Sequence, residues 1–185
     1  MKKLLLSTAC TLLWLGTAMP QDCKKTDYSA DQQKYMETAL QQFTACQLPL
    51  DHGCRAHLAQ ALERLYGVKD FGSDSRYMNS TEIGKKVAGD ANWVHLGSAT
   101  DQDALKKAQA SANCGKAVVA VFSSETGGHV ALILPGPLTA SYGWKVSVPN
   151  SASFFTHNPG KSFAGKPLSY SFPGSQGIEI YARKN

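Results

Sequence analysis

Two residues of this chain have the types and settings that nucleophilic chemistry requires. In DHGCRAHLAQALERLYGV, residues 51–68, Cys54 stands where a helix is expected to begin. A thiol there meets unpaired backbone N–H groups and the positive end of the helix dipole, which favour thiolate and bring its pKa down from about 8.5. The same N–H groups can hold an oxyanion at an attacked carbonyl. Such a thiol still needs a base. His129 is the candidate among five histidines: in GGHVALILPG it opens a strand directly after Gly127 and Gly128, where bare backbone leaves room for a substrate. Its ring is expected to share a strand face with Ala131 and Ile133.

The competing reading of Cys54 is half of a disulfide. If Cys10 leaves with a signal peptide, Cys23, Cys46, Cys54 and Cys114 remain, an even set that allows two bridges in three connectivities. The other arrangement is one bridge, one reactive thiol and one spare cysteine. No metal or cofactor is expected: there is no Cys-x-x-Cys, and His52, Cys54 and His57 have no second cluster to complete a tetrahedral site.

The elements that must position these residues follow from periodicity. Residues 31–47 carry Tyr35, Ala39, Leu40 and Phe43 on one helical stripe. After the breaker LPLDHG, a helix is expected from Cys54 to Tyr66, ending at Gly67, with Leu58, Ala61, Leu62 and Leu65 inward and Cys54 starting that face. Further helices are expected at 80–88, opened by Asn79 or Ser80, and at 101–112, where Thr100 and Asp103 resemble a capping box. The period then shortens. Residues 116–122 and 129–136 read as a hairpin, 144–148 and 178–182 as two more strands, and the Pro-, Gly- and Ser-rich 149–177 as loops. Helices followed by an antiparallel sheet make the expected class α+β, in one domain spanning 19–185.

Composition sets the compartment and the partners. The start, MKKLLLSTACTLLWLGTAMP, has Lys2 and Lys3, an apolar run from Leu4 to Leu15, and Gly16 and Ala18 as small cleavage-site residues. It reads as a signal peptide over residues 1–18, and the rest as a secreted monomer without stable membrane insertion. Without Lys2 and Lys3 the chain keeps 17 Lys+Arg against 14 Asp+Glu. That mild positive charge suits an anionic wall or surface and gives no basic run for nucleic acid.

GGHVALILPGPL (127–138), following HGCRAHLAQALERLYGV (52–68), resembles the amidase effectors of bacterial type VI secretion, antibacterial toxins within the NlpC-like, papain-like peptidoglycan peptidases. The segment RYMNSTEIGKKV (76–87) adds to the resemblance, which covers roughly 50–150. It implies a papain-like fold, N-terminal helices on a small antiparallel sheet. It also implies hydrolysis of a stem-peptide amide, D-glutamyl to diaminopimelate, by acylation of Cys54 with His129 as base. Such sites carry a third group that orients the histidine, and Asn150 is the choice here, its amide oxygen accepting from the ring. His52, Asn79, Ser80 and Gly128 are the expected substrate contacts, with Trp93, Tyr142, Trp144 and Phe154 available for an aromatic wall. With Cys54 as nucleophile, one bridge is expected, Cys23–Cys114, with Cys46 as competitor. The signal peptide departs from injected effectors and implies an export-dependent wall enzyme, with an immunity or inhibitor protein as a further partner. Rival readings are an N-acetylmuramoyl-alanine amidase, a cross-link endopeptidase, or a non-catalytic wall-binding or inhibitor module, which a disulfide-bonded Cys54 would favour.

Overall fold

The computed structural model describes residues 23, 28–48, 50–72, 76–124 and 127–184. The expected signal peptide at 1–18 lies outside them. Helix α1 (Ala30–Thr44) opens with a reciprocal cap, Ser29 and Gln32 each accepting from the other's backbone N–H, and buries Met36, Ala39 and Phe43. The helix expected to run unbroken from Cys54 is two: α2 (His52–Arg55) and α3 (His57–Tyr66), which meet at Ala56. Gly67, at φ 67°, ends α3 in the left-handed conformation that glycine takes without strain. Helix α4 (Ser80–Gly89) follows, capped by Asn79. Strand β1 (Trp93–Ser98) leads into α5 (Gln102–Asn113), which is capped by Asp101 rather than by Thr100.

The rest is β structure. β2 (Val118–Ser124) and β3 (Gly127–Ile133) form the expected hairpin, with Phe122 opposite His129. β4 (Thr139–Ser141) and β5 (Val146–Val148) pair only with each other, so the strand expected at 144–148 belongs to a separate small ladder. The stretch expected to be loops holds β6 (Asn150–Ser153) and β7 (Phe163–Pro167), and β8 (Ile178–Arg183) closes the chain. The main sheet runs β1-β8-β2-β3-β6-β7, every neighbouring pair antiparallel. The protein is therefore α+β, with five α-helices and a six-stranded antiparallel sheet among the described residues.

Both faces of that sheet are covered. Val119, Val121, Val130, Leu132 and Leu134 pack in one core with α1, α3 and α4. Val118, Ala120, Ala131, Ile133 and Ile180 pack in a second core with α5. Alternating side chains of β2 and β3 thus serve opposite cores. Helix α4 lies close to the sheet at Gly84, where a Cβ would come within 2.9 Å of Val121 Cγ1. No helix of the described residues is long and apolar enough to cross a membrane.

Two disulfides staple the fold: Cys23–Cys114 across 91 residues and Cys46–Cys54 across 8. The entropy a bridge removes from the unfolded chain grows with the logarithm of its loop. Replacing Cys23 and Cys114 by alanine should therefore cost about 2 kcal/mol more than replacing Cys46 and Cys54. Urea unfolding of the two double variants measures the difference.

Candidate functional site

The Gly127–Gly128 end of β3 opens onto two adjoining clefts that share Gly128, Thr156 and His157. Gly128 is required there, since a Cβ would come within 2.8 Å of the Phe122 carbonyl oxygen. The first cleft, about 530 Å³, lies on the α5 side. Phe122, Phe155 and Phe172 form its apolar wall, and His157, Asn158 and Lys161 supply polar groups.

His129 lines this cleft. Its ring stacks on Phe155 at 4.9 Å with 5° between planes, meets Phe172 edge-on at 5.3 Å, and shares a 2.7 Å hydrogen bond between Nε2 and the fully buried Ser153 hydroxyl. Enclosure by these apolar rings disfavours the charged imidazolium and lowers the pKa to about 4. The histidine is therefore a neutral imidazole at neutral pH. Ser153, its partner, sits on β6, beside Ala131 of β3 in the sheet register. Asn150 does not orient this ring: its Nδ2 donates to the Pro135 carbonyl at 2.9 Å and its backbone N–H to Gln109 Oε1 at 2.8 Å. The short strand β6 separates the two roles, because Asn150 begins it and Ser153 ends it.

Cys54 sits elsewhere. Helix α1 stops at Thr44, three residues short of the expected end, and the chain turns back so that Cys46 bonds Cys54. Both half-buried cysteines pack against the core beneath α1, α3 and α4, which takes the even-numbered side chains of β3. His129 is odd-numbered and contacts Phe172 of the opposite core. The expected nucleophile and the expected base thus pack against different cores of the sheet, and no hydrogen bond joins them among the described residues. The Cys54 backbone N–H is also occupied, donating to Asp51 Oδ1 at 2.7 Å. A carboxylate in that position removes the oxyanion donor and opposes a thiolate by charge. In this structure Cys54 is a cross-link rather than a free thiol.

The remaining expected contacts divide. Asn79, Ser80 and Gly128 come together around the second cleft, while the His52 side chain lies outside the described residues. The expected aromatic wall is not formed by its named members. Trp93 and Phe154 are buried, Tyr142 is almost fully exposed, and Trp144 packs beside the α5 core. Phe155, next to the candidate Phe154, supplies the wall instead: in SFFTH the two aromatics diverge, Phe154 entering the core against Phe43 and Phe155 facing the cleft. Arg55 and Lys161 were not singled out by the sequence, being ordinary basic residues until the fold sets them beside a cleft.

No protein-family model matches the chain, and no curated protein matches it significantly.

The buried neutral state of His129 has a stability consequence. Between the folded pKa of about 4 and the ordinary value of 6.5, the unfolded chain binds a proton that the folded chain does not. Stability due to this residue is therefore complete above pH 6.5 and falls as pH drops towards 4, by roughly 2 kcal/mol after allowance for the ring edge open to the cleft. His57 is shifted in the same direction by burial, so the test is a difference. Denaturant unfolding at pH 7 and pH 4.5 should show a smaller acid loss in His129→Gln than in wild type.

Proposed function

We propose that this protein is an extracytoplasmic, wall-directed binding module that holds a peptidoglycan stem-peptide segment in the groove across the Gly127–Gly128 end of the sheet. The observation that carries the reading is the condition of Cys54. Its sulfur is bonded to Cys46 and its N–H to Asp51, while the groove beside Gly128 stays open. Binding is what such an arrangement can perform without further change. The groove suits a peptide: Phe122 and Phe155 offer apolar faces, Asn158 and Gln176 can pair with amides, and Lys161 and His157 stand where acidic groups of a stem would lie. Two disulfides fit an oxidising compartment, in keeping with the export expected from the N-terminal segment.

A second reading is the cysteine amidase of the papain-like, NlpC-type fold, cutting D-glutamyl–diaminopimelate or another wall amide. The Gly-His strand opening at the cleft supports it. The ring is neutral, as a base must be, but a pKa of about 4 makes it a weak one, so this reading needs the ring to lose part of its apolar enclosure. It also requires reduction of Cys46–Cys54, release of the Cys54 N–H, and a rearrangement bringing thiol and ring together. An immunity or inhibitor protein belongs to this reading, since only a wall-cutting enzyme endangers its maker.

Incubation of the oxidised protein with purified peptidoglycan separates the two. Binding predicts that protein sediments with the sacculi, that no stem fragments appear by mass spectrometry, and that Lys161→Ala lowers the bound fraction about tenfold, the worth of one charge-assisted contact. Fragments released by wild type and absent with Cys54→Ala would establish the amidase instead. Absence of both sedimentation and cleavage would remove the wall from the account.

A further inference from the structure

The second cleft, about 420 Å³, lies across Gly128 from His129 and is lined by Leu48, Leu50, Arg55, Asn79, Ser80 and Thr81 among others. It contains the N-terminus of α4, a ten-residue helix. The cap of that helix is only half used up by the protein. The Asn79 side chain accepts from the Glu82 N–H at 3.0 Å and the Glu82 carboxylate accepts from the Asn79 N–H at 2.9 Å. The N–H groups of Ser80 and Thr81, at the first two helical positions, have no hydrogen bond among the described residues.

Ser80 adds an observation independent of the helix end. It is only 8% exposed, lines the cleft, and its hydroxyl has no hydrogen-bond partner among the described residues. The hydroxyl is not among the side-chain atoms sealed from solvent, so the little of Ser80 that is exposed includes its oxygen, and it opens into the cleft free to donate. Arg55 lies in the same wall, exposed and without an ion pair among the described residues. The acidic groups nearest in the chain are already engaged: Glu82 is held by Arg76 through contacts of 2.8 and 2.9 Å, and Asp51 caps Cys54. Two unpaired N–H groups, an unpaired hydroxyl and a cation therefore converge on one cleft.

We propose that this cleft is a carboxylate-binding subsite. Ser80 and Thr81 donate backbone N–H groups, Ser80 Oγ donates its proton, and Arg55 supplies the positive charge. Leu48 and Leu50 border the same space, so the carboxylate belongs to a residue with a small apolar side chain, such as the alanyl end of a peptide. The identity of that peptide as a wall stem rests on the function proposed above; the oxyanion chemistry does not.

The test is an amide NMR titration of the full protein with N-acetyl-D-alanine, with its carboxamide, and with inorganic phosphate. The acid should shift the Ser80 and Thr81 amide resonances saturably and the carboxamide should leave them in place. Arg55→Gln, a surface change, should weaken the acid about tenfold, and Ser80→Ala about threefold. Equal response to acid and carboxamide, no response to acid, or unchanged affinity in Arg55→Gln would overturn the subsite. Response to phosphate with none to the acid would overturn the carboxylate assignment. Because these probes contain no wall, acid binding without sedimentation on sacculi would refute the proposed function and leave the subsite standing, and the reverse pattern would do the opposite.

Discussion

Strand β3 is packed on both faces, and its two-residue period decides which side of the molecule each of its side chains serves. Val130, Leu132 and Leu134 enter the core under α1, α3 and α4, while Ala131 and Ile133 enter the core under α5. A one-residue slip would exchange every one of these placements, so the register is fixed by two cores at once. His129 inherits its direction from that constraint. It lies on the Ala131 side, with Ser153, Phe155 and Phe172 around it.

The Cys46–Cys54 bond packs against the other core. It joins the end of α1 to the start of α2 with a turn between them, and Asp51 within that turn caps the Cys54 N–H. Each interaction makes structural sense alone: a short cross-link, a helix cap, a half-buried sulfur against apolar neighbours. Together they occupy the features that would make a helix-start cysteine reactive. The open chemistry lies instead at the glycine end of β3, where the two clefts meet.

Much of the scaffold was legible in the sequence because it rests on strong local patterns. The helical stripe through Tyr35 and Phe43, the Gly67 stop, the Asn79 start and the β2–β3 hairpin all appear within a residue or a few of their expected places. What was not legible depends on partners distant in the chain. Strand β6, Asn-Ser-Ala-Ser, looks like loop by composition, yet its small residues are those that fit between β3 and β7 in a buried sheet. Ser153 could not be recognised as the histidine's partner while its strand was unrecognised. The pairing of Cys46 with Cys54 was open for the same reason, since cysteine spacing permits several connectivities and only the end of α1 selects one. Asn79, Ser80 and Gly128, by contrast, do reach one cleft, because a helix start and a strand start are local features.

The account turns on the state of Cys54, and peptide mapping reads it directly. Native protein would be alkylated in denaturant without reductant and digested after Lys and Arg, which leaves Cys46 and Cys54 together in residues 35–55. The structure predicts that this peptide is unlabelled and lighter than its reduced form by one pair of hydrogens. An alkyl group on Cys54, with Cys46 either labelled or bonded elsewhere, would contradict the cross-link and return Cys54 to candidacy as the nucleophile.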